Sequence, residues 1–206
     1  MRNFNRTLFS LFFLLFASCL FAKVEVGGIF YRLDRKNFLA YVTYKGETPR
    51  SVANEYYGPI NIPRIVEYQK DSFLVVGIDS FAFSQCDRLI SVYIPSSVKK
   101  IELSAFRGCS SLRRIVVSPS NSHYYSDEYG ILYSSKESCL LKAPELVAPN
   151  IVVGAKVDSF APYAFNNCKL INCTLFYPFF VILKRQCSPP FRMDSRMSTS
   201  NSLSGS

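Results

Sequence analysis

The side chain best suited to acid–base chemistry is a single histidine. His123 is the one histidine among 206 residues, and it precedes Asp127 by four positions. One imidazole excludes a multi-histidine metal centre and leaves one candidate for a Ser–His–Asp arrangement. The sequence lacks the Gly-x-Ser-x-Gly, Gly-x-Gly-x-x-Gly and P-loop patterns. We therefore expect no catalytic, metal-binding or cofactor-binding residues, and a hydrolase that uses His123 is the least favoured alternative.

Seven cysteines are the other reactive side chains. Cys86 and Cys109 are 23 residues apart in similar surroundings, and Cys168 follows 59 residues later. There is no Cys-x-x-Cys pair, and equivalent residues of stacked repeats form a line rather than the tetrahedron that zinc requires. We expect these three to be buried structural thiols. The remaining cysteines outside the N-terminal segment are Cys139, Cys173 and Cys187. Any two of them could form a disulfide after export.

The cysteine spacing reveals an internal repeat. Residues 78–94 and 101–117 align at an interval of 23 residues, and the apolar landmarks recur at that interval, such as Leu89 with Leu112 and Val92 with Ile115. A third, shorter copy occurs near residue 165. The aromatic and cysteine positions of the three copies, here called the ladder residues, are Phe83, Cys86, Phe106, Cys109, Phe165 and Cys168. A period of between about 20 and 29 residues is typical of leucine-rich repeats.

Each period predicts a short strand followed by a tight turn. Alternation along the first strand places Ser91 and Tyr93 on the solvent side, and Pro95 ends the strand. Residues 104–106, before Gly108, predict a short helical or 3₁₀ turn. One such unit cannot bury its apolar side alone, so the units must stack. We therefore expect a β-rich leucine-rich-repeat solenoid of short parallel strands with short helical or 3₁₀ turns.

The repeat pattern resembles a known family. Residues 82–101 match the pattern Ala-Phe-x-x-Cys-x-x-Leu-x-x-Ile-x-Ile-Pro-x-Ser-Val-x-x-Ile, which is similar to the BspA-like leucine-rich repeats of bacterial and protozoan surface and secreted proteins. Residues 118–133 resemble the longer variant repeat of that family, in which a β-hairpin replaces the helical turn. The resemblance covers about residues 57–171. It implies surface attachment or interaction with a host or matrix, without specifying a ligand.

The N-terminal segment has the features of a secretory signal peptide. Two arginines precede an apolar run, and small residues follow it within residues 1–22. The run is about half of the roughly 20 residues that span a bilayer, so we expect cleavage after Ala22 rather than an uncleaved anchor. Lipidation of Cys19 is an alternative, because residues 16–19 resemble a bacterial lipoprotein box. Residues 23–56 are expected to form a strand-rich N-terminal β cap.

The remaining chain divides into three parts. The repeats are predicted to span residues 57–174. Residues 175–183 form a short apolar segment, interrupted by Pro178, that favours a strand or a core-covering segment. Membrane anchoring there is an alternative, because a basic pair follows the segment. The Ser-rich, basic tail at residues 184–206 is predicted to be disordered.

Positive charge is concentrated in the two full repeats. The chain has 24 Lys and Arg against 15 Asp and Glu, and residues 84–117 hold six of the basic residues with two acidic ones. On an exported protein this charge suits acidic partners rather than nucleic acid; ordinary solvent-exposed charge is the alternative interpretation. The candidate ligand-binding residues on the exposed strand face are Arg88, Ser91, Tyr93, Arg113, Arg114 and Val116.

Together these features predict an exported, non-enzymatic protein, secreted or at the cell surface. Its role would be cell-surface adhesion or binding of an extracellular protein or an anionic glycan surface. The alternative is a structural or self-assembling surface component, because solenoid strands leave open edges and residues 175–183 offer a further pairing segment. Membrane association is expected only through Cys19 lipidation or residues 175–183.

Overall fold

A computed structural model provides the three-dimensional structure. It describes residues 21–46, 56–136, 138–146, 150–153, 157–165, 168 and 172–175. The predictions that concern residues 1–20 with Cys19, the apolar segment beyond Leu175, the tail and Cys187 lie outside these residues.

Strands dominate the described residues, as the sequence predicts. These residues contain no helix, and so none that is long and apolar enough to cross a membrane. The strands are β1 Phe21–Val26, β2 Ile29–Asp34, β3 Leu39–Thr43, β4 Tyr57–Asn61, β5 Ile65–Tyr68, β6 Asp71–Ile78, β7 Arg88–Ile94, β8 Lys100–Ile101, β9 Arg114–Val117, β10 Tyr124–Ser126, β11 Leu132–Ser134, β12 Cys139–Lys142, β13 Asn150–Val153, β14 Ser159–Phe160 and β15 Asn172–Leu175.

The N-terminal part forms a curled sheet that continues into the repeats. Strands β1, β2 and β3 pair in antiparallel fashion, and β3 then pairs in parallel with β6. Strand β6 pairs in parallel with β8 and in antiparallel fashion with β5. The N-terminal strands therefore supply hydrogen-bonding partners for the first repeat.

The repeats produce parallel pairing at the predicted interval. Strands β4, β7 and β9 form a parallel three-stranded sheet, in which Val92 lies opposite Ile115, 23 residues later. The same interval relates Ile78 of β6 to Ile101 of β8. Beyond the β10–β11 hairpin, parallel pairing resumes between β12 and β14 and between β13 and β15.

The turns that join these strands differ from the prediction of helical or 3₁₀ turns. In the first repeat, i+3→i backbone hydrogen bonds join Ala82 to Asp79, Ser84 to Phe81 and Cys86 to Phe83, at every second residue. A 3₁₀ helix needs such bonds at successive residues. The pattern is interrupted by positive φ angles, 62° at Phe81 and 58° at Gln85, because a right-handed helix requires negative φ. Each repeat therefore contains separate single turns rather than a helix. The turns of neighbouring repeats stack on each other, and the Phe83 N–H donates to the Ala105 carbonyl at 2.8 Å.

Aromatic rings and thiols are stacked through the centre of the larger core. The rings of Phe83 and Phe106 lie parallel with centroids 5.3 Å apart, and Tyr56 packs on Phe83 at 4.9 Å. Cys86 and Cys109 are buried, and the Cys109 thiol donates to the Phe83 carbonyl at 2.9 Å. The third pair of ladder residues, Phe165 and Cys168, is only half-buried. The off-ladder Cys139 is also a buried thiol.

Strands β11 and β12 contribute side chains to two clusters of buried apolar residues. Leu132, Cys139 and Leu141 point into the larger cluster, which contains the N-terminal strands and the two full repeats. Ile131, Tyr133 and Leu140 point into the smaller cluster around Phe160. Strands β11 and β12 are therefore covered on both faces, which explains their nearly continuous apolar sequence.

A buried amide joins this hairpin to the preceding repeat. The Asn121 Nδ2 group donates to the carbonyls of Pro95 and Val98 at 2.9 and 3.0 Å. Its Oδ1 accepts the backbone N–H groups of His123 and Tyr124 at 2.8 and 3.0 Å. Four hydrogen bonds use the donors and the acceptor of the amide, so burial of this polar side chain carries little desolvation cost.

The N-terminal strands are joined to the first repeat by a stacked contact. Arg32 of β2 makes a bidentate ion pair with Asp79, at 2.8 and 2.9 Å, and lies over the ring of Tyr41 at 4.1 Å. The Tyr41 ring in turn covers Gly77 of β6, where an added Cβ would be 2.7 Å from Tyr41 Cδ1 and 3.3 Å from the Lys100 carbonyl oxygen. Only glycine leaves room for the ring at this position.

This contact predicts that Gly77→Ala destabilises the protein by about 1–3 kcal/mol, the usual cost of overpacking. The methyl group would displace the Tyr41 ring from beneath Arg32. In a Tyr41→Ala background the same substitution should cost less than half as much, since the ring is gone. Urea unfolding of the four members of this double-mutant cycle measures the coupling. An equal loss in both backgrounds would contradict the stacking explanation.

The core thiols should be protected from modification. Burial raises the pKa of the Cys109 thiol, because the thiolate would lose its hydration, and the neutral thiol is a poor nucleophile. We expect Cys86 and Cys109 to react with a thiol reagent at pH 8 only as fast as the protein unfolds, and half-buried Cys168 to react earlier. Mass spectrometry of labelled peptides gives the order. Rapid labelling of Cys109 in the native protein would show that this part of the core is open.

Candidate binding surface

The parallel sheet of β4, β7 and β9 presents one face to solvent. Its inward residues, such as Leu89, Val92 and Ile115, are fully buried, and the side chains between them face outward. The pairing places outward residues of neighbouring strands side by side. We call this surface the β4–β7–β9 face; its residues are Tyr57, Pro59, Asn61, Arg88, Ile90, Ser91, Tyr93, Arg113, Arg114 and Val116.

Five of the six candidate residues from the sequence lie in two adjacent strands of this face, and Arg113 immediately precedes β9. The register pairs Ser91 with Arg114 and Tyr93 with Val116. Tyr93 and Val116 are 37% and 36% exposed, respectively, and Ser91 is half-buried. The three arginines are exposed; they are Arg88, Arg113 and Arg114.

The structure adds residues that the sequence interpretation missed. Gly58 pairs with Leu89 but Pro59 pairs with Ser91, so Ile90 is an extra residue in β7, and 44% of it is exposed. The sequence contains a signal for this extra residue. Leu89 and Val92 both point inward but are three residues apart, whereas inward residues of a regular strand are separated by an even number of positions. Tyr57, 68% exposed, was missed because it lies outside the two full repeats.

Some cations of the N-terminal sheet have close partners, whereas others, such as the exposed Arg64 and Lys70, have no ion pair among the described residues. Arg32 is paired with Asp79, Lys100 with Glu102, and the Lys23 ammonium donates to two backbone carbonyls. On the β4–β7–β9 face, none of the three arginines lies within ion-pair distance of a carboxylate of the described residues. Arg88 lies over the Tyr57 ring at 5.5 Å. The face thus keeps its positive charge available for an external anion.

The outer edge of β9 is occupied by the hairpin. The Ile115 N–H donates to the Gly130 carbonyl at 2.9 Å and the Val117 N–H to Ser126 Oγ at 3.0 Å. Gly130 has a φ of 74°, and a Cβ there would be 2.2 Å from Arg114 Cβ. The hairpin turn therefore borders the face directly beside Arg114.

The opposite edge, along β4, contains a proline. The Ile62 N–H donates to the Tyr93 carbonyl at 3.1 Å, so alternation points residues 59 and 61 away from β7. Because Pro59 has no N–H, an added strand would lose a hydrogen bond in the middle of β4. The face, rather than either edge, is the accessible recognition surface of this sheet.

His123 and Asp127 are not arranged as a catalytic pair. The His123 Nδ1 atom lies 3.1 Å from Ser122 Oγ in an exposed loop. The Asp127 carboxylate accepts the Ile131 N–H at 2.9 Å and the Tyr133 hydroxyl at 2.7 Å, which fixes the hairpin turn. Across the described ranges, no three His, Cys, Asp or Glu side chains are grouped to hold a metal ion.

Comparison with solved structures finds similarity to leucine-rich-repeat proteins. One from Bacteroides ovatus has 22% identity and a TM-score of 0.47, and the match covers 75% of this chain and 41% of the Bacteroides ovatus chain. One from Eubacterium ventriosum has 22% identity and a TM-score of 0.43, with coverages of 48% and 26%. The pneumococcal vaccine antigen PcpA has 14% identity and a TM-score of 0.40, with coverages of 76% and 65%. The chain thus spans less than half the length of the first two structures.

Comparison of the sequence with other proteins gives one family match. No curated protein matches the chain. The model of the BspA type leucine rich repeat region matches residues 61–141 in six copies. The matched residues include the two full repeats and the β10–β11 hairpin. Residues 61–141 are therefore similar to the BspA type leucine-rich repeats.

Proposed function

We propose that this protein is an exported, non-enzymatic surface-binding module. The stacked coils would form a solenoid that displays the β4–β7–β9 face to an extracellular protein or an anionic glycan surface. The observation that carries this proposal is that three exposed arginines with no ion pair among the described residues lie together on one face, beside the exposed Tyr57 and Tyr93. The match of residues 61–141 to BspA type leucine-rich repeats supports it.

The face of this sheet suits binding better than its edges suit self-assembly. The arginine and tyrosine that the face presents are enriched at protein interfaces. Self-assembly through the edges of the β4–β7–β9 sheet has less support, because the hairpin covers the edge of β9 and Pro59 interrupts donation along β4. Assembly through residues 175–183 concerns residues beyond the described part of the chain.

Export is supported by the N-terminal sequence pattern. Cleavage after Ala22 would remove the first two residues of β1 and leave Lys23–Val26 paired with Ile29–Arg32. The strand pairing that closes the N-terminal sheet therefore survives maturation.

Attachment should depend on the arginines of the face. Beads coated with the secreted chain are expected to bind fixed epithelial cells, and the double variant Arg88→Ser/Arg114→Ser should bind at least about tenfold less, since hydrogen bonds to charged groups contribute about 1.5–3 kcal/mol each. The control, Arg64→Ser/Lys70→Ser, removes the same charge from exposed residues elsewhere and should bind normally. Equal losses in both variants would mean that only net charge matters, and would overturn the assignment of this face.

Processing can be checked independently. The full chain expressed in a secreting host should appear in the medium with Lys23 as its first residue, as measured by intact mass and N-terminal sequencing. Leu14→Arg/Leu15→Arg should abolish secretion by placing charge in the apolar run. A mature product that begins with a modified Cys19 would establish the lipidation alternative, and an unprocessed product retained in the cell would contradict cleavage.

A further inference from the structure

We infer that the ligand of the β4–β7–β9 face is an anionic glycan chain rather than a folded protein. This inference rests on the proposed function and narrows it to one ligand class. It starts from the size of the face, the arrangement of its charged and neutral residues, and the two edges that limit it.

The face is a narrow strip. Three strands are about 10 Å across between the axes of the outer two, and the strip is bordered by the hairpin beside Arg114 and by Pro59 on the β4 edge. A partner wider than the strip would also lie over the hairpin turn that contains Asp127 and Glu128. A narrow polymer chain can follow the strip without covering that turn.

Addition of a peptide as an extra strand is disfavoured at both edges. The outward N–H groups of Ile115 and Val117 already donate to the hairpin. Pro59 supplies no donor at the centre of β4. Since main-chain hydrogen bonds provide the affinity in strand addition, an extended peptide has no suitable edge here. A ligand must be bound by side chains on the face.

Those side chains divide into a cationic end and a neutral end. The arginines lie at the N-terminal ends of β7 and β9, at or immediately before the first strand residue. Two residues after Arg114, or about 7 Å, and five residues after Arg88, the register aligns Asn61, Tyr93 and Val116 in one uncharged row. The row offers a flat ring, a hydroxyl group and an amide.

An acidic sugar chain has the complementary chemistry. Its sulfate or carboxylate groups can accept bidentate hydrogen bonds from arginine. Its sugar rings carry hydroxyl groups that suit the Asn61 amide and the Tyr93 hydroxyl, and apolar C–H faces that suit the Tyr93 ring. An acidic peptide would also satisfy the arginines, and its backbone could hydrogen-bond Asn61 and Tyr93, but it lacks the repeated hydroxyl groups and C–H faces of a sugar chain. The row therefore suits the glycan better.

The test measures binding of the secreted chain to four polymers over a range of salt concentrations. Heparin supplies sulfate groups, polygalacturonate supplies carboxylates, dextran supplies uncharged sugar, and poly-glutamate supplies charge without sugar. We expect binding to heparin or polygalacturonate, or to both, with an affinity that falls as salt rises. The sugar that binds identifies the anionic group. Dextran and poly-glutamate should bind at least about tenfold more weakly.

Two substitutions separate the charged end from the neutral end. Arg114→Ser should lower affinity and reduce the slope of log affinity against log salt by about one, because one fewer counterion is released. Tyr93→Ala should lower affinity by about two- to tenfold, the range of aromatic contacts, with the slope unchanged. Arg64→Ser and Tyr163→Ala remove exposed side chains that lie outside the face, and should leave affinity unchanged. Circular dichroism checks that each variant is folded.

Two results would overturn the inference. If poly-glutamate binds as tightly as the glycans and Tyr93→Ala has no effect, the ligand class is an acidic peptide. If the chain binds cells through Arg88 and Arg114 but binds none of the four polymers, the partner is a protein; the proposed function then stands and the glycan assignment fails. Loss of cell attachment only in the Arg64→Ser/Lys70→Ser control would instead overturn the proposed function itself.

Discussion

The structure depends on the fact that the short strand of one repeat cannot supply hydrogen-bonding partners for its own backbone N–H and C=O groups. Alternate N–H groups of each strand point to the preceding and following coils, so every coil needs a hydrogen-bonding partner on both sides. For β7 the partners are β4 and β9. Where the three-stranded sheet ends at β9, the Gly130 carbonyl and Ser126 Oγ take the place of another strand. The position of the hairpin follows from this need.

The same requirement limits the width of the β4–β7–β9 face. The hairpin covers its edge at β9, and Pro59 removes a donor from its edge at β4. The ion pair of Arg32 with Asp79 lies elsewhere and joins the N-terminal sheet to the first repeat. The arginines of the face have no ion pair among the described residues, so under the proposed function they are the groups that would meet an anionic ligand.

Periodic features could be predicted from the sequence, and local departures from periodicity could not. The interval of 23 residues gives the pairing of Val92 with Ile115 and the stacking of Phe83 on Phe106. The helical turn predicted at residues 104–106 is not present, since i+3→i bonds there are made by Ala105 and Arg107 rather than by successive residues. In the first repeat, the positive φ angles of Phe81 and Gln85 occur at residues that carry no sequence signal for them. The covered faces of β11 and β12 were also missed, since a short apolar run does not show whether one side or both sides are buried.

The position of β11 and β12 between two apolar clusters has a consequence for how the repeat array can vary. Leu132 and Leu141 complete the cluster beneath the β4–β7–β9 face, whereas Tyr133 and Leu140 belong to the cluster that follows. Of the buried residues beyond β12, Ala161 belongs to the first cluster, whereas Ala143, Val157, Phe160 and Ala164 belong to the second. Most changes of side-chain volume in that part of the chain would therefore be absorbed by the second cluster, with little effect on the packing beneath the β4–β7–β9 face.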